Sequence, residues 1–153
     1  MWITLLIAHG LMAFLLLGAI THQLVAVWAP LAAKPGHFVD RFRAVRSAGY
    51  VNAIVVLYAA TAVLGGTIYT FYRISARLTL ERGHFWWTFG AFELKEHFVA
   101  LGLALLPAYW CYWKLPGDEY PRTRAILTTL LAFIVWYGFV VGHLANNVRG
   151  LGT

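Results

Sequence analysis

The sequence predicts an all-α integral membrane protein folded as a four-helix bundle. Three observations lead there. The chain of 153 residues is 61% apolar and only 12% charged, whereas a soluble domain carries about a quarter charged residues. Its mean hydropathy is +0.68. Its apolar residues fall into four runs, each near the roughly 20 residues that a helix needs to cross a bilayer, with the basic residues between them.

The first run, residues 2–28, reads as a retained helix. It is too long for a signal-peptide core, lacks a basic leader, and ends at Pro30 instead of a small-residue cleavage motif. Residues 30–46 read as a loop broken at Pro30, Pro35 and Gly36, with a short interfacial helix over 37–46. The second helix covers 47–72, followed by a basic loop with Arg73, Arg77, Glu81 and Arg82. The third covers 88–113 and contains Pro107, which predicts a kink. A loop punctuated by Pro116, Gly117 and Pro121 leads to the fourth helix, 125–146. The whole, 1–153, reads as a single transmembrane domain.

The net charge of +6 does not point to nucleic acid, because the basic residues sit where a membrane protein places them. Lys34, Arg41, Arg43, Arg46, Lys114, Arg122 and Arg124 share one side, against Arg73, Arg77, Arg82 and Arg149 on the other. That bias puts the first and third loops in the cytoplasm and both termini outside, in a bacterial inner membrane. Trp86 and Trp87, and then Tyr109, Trp110, Tyr112 and Trp113, mark the two headgroup levels of the third helix. The single Cys111 reads as a small apolar residue.

Ionisable groups inside a bilayer are costly and therefore informative. His9, His22, His97 and His143 fall within predicted helices; His37 and His84 fall in loops. At about 1.5 Å per residue, His9, His97 and His143 lie roughly 10, 13 and 5 Å below the outer surface, on three different helices. Gly65 and Gly66 on the second helix reach the same level, on a face with Tyr58, Thr61 and Tyr69. Gly138 and Gly142 precede His143. Imidazoles and glycines at one level of an apolar bundle are what a non-covalent haem b requires: axial ligands, a flat slot and shielding from water. Any two of the three histidines could ligate the iron, with His9 paired to His97 or His143. The competing readings are cross-helix hydrogen bonds, another metal and a quinone site. A second haem near His22 is disfavoured: thirteen residues separate it from His9, leaving the two side chains roughly 140° apart around a straight helix. An interfacial His22 beside Thr21 and Gln23 is the expectation.

The run Phe92-Glu93-Leu94-Lys95-Glu96-His97 puts four ionisable groups near a membrane boundary. Glu93 and His97 share a face, with Glu96 beside them, and Lys95 points away. A glutamate could orient His97 through its second ring nitrogen. Glu93, Glu96 and the histidines could form a carboxylate–histidine metal site. Or the charges could pair with loop arginines at the interface.

With His9 early in the first helix, the basic segment 41–46 and Lys95 early in the third, the chain resembles small four-helix haem-binding membrane proteins. These are the protoporphyrinogen-oxidase family of that architecture and the related copper-resistance-D-like membrane domains. The sequence departs from that family at Tyr109-Trp110, where the family carries Tyr-His near the end of the helix. The resemblance implies haem b on His9 with Lys95 near a porphyrin carboxylate. The leading expectation is a b-type cytochrome-like subunit that exchanges electrons with a partner complex or with quinone. The alternatives are a cofactor-free accessory subunit of a larger membrane complex and a haem-containing porphyrin-oxidising enzyme.

Overall fold

The computed structural model describes residues 2–28, 38, 41, 47–74, 76–116 and 119–151. Its elements are α1 (Trp2–Trp28), a 3₁₀ turn (Ser47–Tyr50), α2 (Val51–Ile74), the short α3 (Ala76–Arg82), α4 (Trp86–Lys114) and α5 (Pro121–Leu151). The chain is an all-α integral membrane bundle of four long helices with α3 as a connector. Nearly all of the basic segment 30–46, with its expected interfacial helix, lies outside the described residues.

The helix ends differ from expectation in ways that local chemistry explains. α2 is preceded by a 3₁₀ turn, where Ser47 and Gly49 favour tight geometry over a full α-turn. The basic loop after α2 contains α3, held by an Arg77–Glu81 pair at 2.8 Å at the i,i+4 spacing that supports a helix. α3 hands over to α4 through His84, whose φ is 58°. Pro121 starts α5, because a proline at the first helical position removes only an amide that has no partner anyway. α4 continues unbroken through Pro107.

Among the described residues three helices are long and apolar enough to cross a membrane: Ile3–Trp28, Ser47–Ile74 and Pro121–Asn147. α4, with 29 residues, has the length but is diluted by Glu93, Lys95, Glu96 and His97 in its first half. The helices form a ring in which α1 packs on α2 and α5, and α4 packs on α5. α2 and α4 close the ring with the sparsest packing of the four seams.

The two ends of the bundle differ. Call upper the end holding the start of α1 and the α2–α4 connection. The main core cluster lies below its middle: Leu16, Leu17 and Ile20, Val51, Ile54 and Tyr58, Leu106, Tyr109 and Trp113, and Leu127, Leu131 and Val135. Lipid tails are as apolar as these side chains, so apolar burial alone drives little association, and polar cross-links add to the contact energy. The lower half is rich in them. The Tyr109 hydroxyl donates to Gln23 Oε1, and Gln23 Nε2 donates to the Ser47 carbonyl at 2.9 Å. Trp113 Nε1 donates to Thr128 Oγ1 at 3.1 Å, and Trp28 Nε1 to Thr129 Oγ1 at 2.8 Å. Tyr109 and Trp113 are thus core residues, whereas Trp87 stands 93% exposed at the upper end. His22 is buried between helices, 4% exposed, with its ring 4.8 Å from that of Tyr50.

Candidate functional site

The upper half is hollow. A cavity of about 300 Å³ is lined by all four long helices, at the lower end of the range for ligand sites. α1 contributes His9 and Ala13, α2 contributes Tyr58, Thr61, Gly65, Gly66, Tyr69 and Tyr72, α4 contributes Phe92, Lys95, Glu96 and Val99, and α5 contributes Gly138, Gly142 and His143.

The contributions of α1 and α4 follow stripes of alternating three- and four-residue steps. On α4 the stripe runs Phe92, Lys95, Val99, Gly102, Leu106, Tyr109 and Trp113; Phe92, Lys95 and Val99 line the cavity, and Leu106, Tyr109 and Trp113 enter the core. On α1 it runs His9, Ala13, Leu16, Ile20 and Gln23. The helical period therefore aims His9 and Lys95 inward.

His9 is the central group. Its Nδ1 is buried and has no hydrogen-bond partner. The polar groups acting on the ring are the Thr61 backbone, Lys95 and Glu96. Gly65 makes room for it: a Cβ there would stand 3.1 Å from His9 Cε1. A Cβ at Gly10, Gly66 or Gly142 would meet nothing within 4 Å, so these glycines enlarge the hollow itself. Lys95 lies along α5, with its Cγ 3.8 Å from where a Cβ at Gly138 would be. Its Nζ is 3.0 Å from Glu96 Oε1 and 4.0 Å from the centre of the Phe92 ring. Tyr72 stacks on Phe92 at 3.9 Å, and Tyr69 lies nearly parallel to Phe92 at 6.5 Å.

Of the residues singled out in the sequence, His9, Gly65, Gly66, Lys95 and His143 come together at this cavity. His143 is exposed and sits at its edge. His97 does not join them. It is exposed, two positions beyond Lys95 on the helix, and its Nδ1 lies 2.8 Å from the Glu93 backbone carbonyl. No carboxylate orients it. Among the described residues no group of three or more His, Cys, Asp or Glu is arranged to hold a metal ion, so Glu93, Glu96 and the histidines do not form the carboxylate–histidine centre considered above. Glu93 instead faces Arg77 at 3.9 Å, a charge pairing outside the cavity. Tyr72 was missed in the sequence, although it continues the α2 face of Tyr58, Thr61, Gly65 and Tyr69 by one step.

Comparison with protein-family models, curated proteins and solved structures returned no match.

Proposed function

We propose that this chain is a membrane-embedded b-type haem protein that takes part in electron transfer. The observation that carries the reading is the His9 Nδ1, buried and unpartnered inside a cavity that all four helices line. An unpaired polar atom in an apolar interior is costly, and an iron–nitrogen bond would remove that cost. The residues present fit such a group. His9 and His143 would hold the iron, and Lys95 would offer a positive charge to the group's carboxylates. Gly10, Gly66 and Gly142 leave the space a flat macrocycle needs. The bound group would supply one-electron chemistry. The protein's part is to hold it, exclude water and present its edge to a partner, either a larger redox complex or quinone. With four spans the basic residues favour an inner-membrane protein with both termini outside.

The test is a reduced-minus-oxidised absorption spectrum of the purified protein with haem extraction. Wild type and His97→Ala should carry haem, His9→Ala should not, and His143→Ala should alter the spin state or weaken binding. A well-folded preparation without haem overturns the reading and leaves a cofactor-free accessory subunit. Full haem content in His9→Ala would also overturn the ligand assignment.

A further inference from the structure

The cavity's weakest wall faces sideways. Outside it, between α2 and α4, lies a second hollow of about 330 Å³, and the two share Ala62, Gly66, Glu96 and Val99 as lining. This partition is thin because position 66 has no side chain and position 62 only a methyl group. The seam is fastened above and below it. Above, Tyr69 and Tyr72 of α2 stack with Phe92 of α4. Below, the Tyr58 hydroxyl donates to the Val99 carbonyl at 3.1 Å. Between the fastenings the hollow is flanked by Val63 of α2 and Leu103 of α4, 70% and 40% exposed, and α2 qualifies as a membrane span. In a bilayer these exposed apolar side chains would meet lipid.

A second, independent observation points to a ligand. Tyr72 is only 7% exposed, lines the cavity, and its hydroxyl has no hydrogen-bond partner. A dry apolar void would not need a buried, unpartnered phenol in its wall. Lys95 and Glu96 pair with each other, so the wall carries both donors and acceptors without net charge. The occupant that suits these features is apolar over most of its surface and carries oxygen atoms at one edge.

We infer that the α2–α4 seam at Ala62 and Gly66 is a lateral portal, through which an amphiphile dissolved in the bilayer loads into the His9 cavity. Haem, an apolar plate with two carboxylates on one edge, is the case in point, and to that extent the inference rests on the proposed function. A protein helix, about 10 Å across, could cover the seam but could not pass it.

The decisive experiment plugs the portal without touching the cavity. Ala100 lines the outer hollow and not the inner one, so Ala100→Phe fills the approach alone. Ala59→Phe does the same from the facing helix and serves if the first variant folds poorly. In phosphatidylcholine vesicles haemin should enter wild type faster than either plugged variant, with the same final extent. The expected slowing is on the order of tenfold, which corresponds to about 1.4 kcal/mol of added barrier.

A haem-free arm separates the two readings. Ala13→Cys, made with Cys111→Ser, places a thiol on the cavity wall. A pyrene maleimide dissolved in the bilayer should label it, with similar slowing by Ala100→Phe, while a charged water-soluble maleimide should react more slowly in every variant. If wild type takes up no haem, the proposed function falls and the thiol arm alone decides the portal. Labelling at unchanged rates in the plugged proteins, or faster labelling by the charged reagent, would overturn the portal whether or not haem binds.

Discussion

A methyl group at residue 102 would stand 1.8 Å from the Tyr58 hydroxyl oxygen and 2.5 Å from its Cζ. Tyr58, 3% exposed, therefore occupies the space that a side chain at 102 would fill. Overpacking of this kind costs roughly 1–3 kcal/mol, and Gly102→Ala should lower the thermal midpoint in detergent accordingly. Tyr58→Leu should restore part of it, and a double variant no better than the sum of the singles would contradict the contact. Gly65 is gentler. With His9 Cε1 at 3.1 Å from a Cβ, Gly65→Ala should be tolerated, whereas Gly65→Val should displace the imidazole with the fold intact and, under the haem proposal, weaken haem retention, as spectroscopy would show. The two glycines differ in how readable they were. Gly65 stands out in the sequence because it shares a level with His9. Gly102 is one more glycine in an apolar run until the bulky Leu106, Tyr109 and Trp113 are seen to continue its stripe.

At the scale of the element, depth was easy to read and azimuth was not. A rise of about 1.5 Å per residue brought His9, His97 and His143 to one level. Only the inward stripe of α4 shows that His97 faces away. The sequence holds that stripe, yet the charges at Glu93 and Glu96 draw attention to the wrong side of the helix. Arg124 also escaped notice as a loop cation. It is 8% exposed. Its Nε donates to the Tyr112 carbonyl at 2.8 Å, and its Nη2 donates to the carbonyls of Leu115 and Pro116, the latter at 2.8 Å. The Tyr112 and Leu115 carbonyls lie at the end of α4, where a helix leaves them without intrahelical partners. Charged hydrogen bonds of this sort contribute about 1.5–3 kcal/mol each before losses are shared, so Arg124→Ala should destabilise the bundle by roughly 3 kcal/mol. Arg124→Lys should recover little, because an ammonium cannot fork. A melting curve unchanged in Arg124→Ala would refute the role.

Across the whole molecule a packed lower half is joined to a hollow upper half. Amide exchange should follow that division: residues 16–24, 106–113 and 127–135 should exchange slowest, and the α1 and α2 segments around the cavity faster. Uniform protection from end to end would contradict it; under the haem proposal, added haem should slow the upper half selectively. The all-α membrane bundle was legible because composition and run length decide it. The hollow was not, because a cavity is a property of four stripes in register and each helix shows only its own.

The polarity of α4 bears on how the protein reaches the membrane. Charged side chains cost about 2.5–3.5 kcal/mol each near the middle of an inserting helix, and α4 presents Glu93, Lys95 and Glu96 within its first eleven residues. Released alone from the translocation channel, it would partition poorly into lipid. The following helix, α5, is amply apolar, is separated from α4 by the six residues 115–120, and carries the arginine that ties the turn between them. Biogenesis should therefore proceed by a hairpin: α4 waits beside the ribosome-bound chain until α5 emerges, and the pair enters together. A glycosylation-based insertion reporter ending before residue 121 should leave α4 outside the bilayer, and extending it through α5 should bring both in.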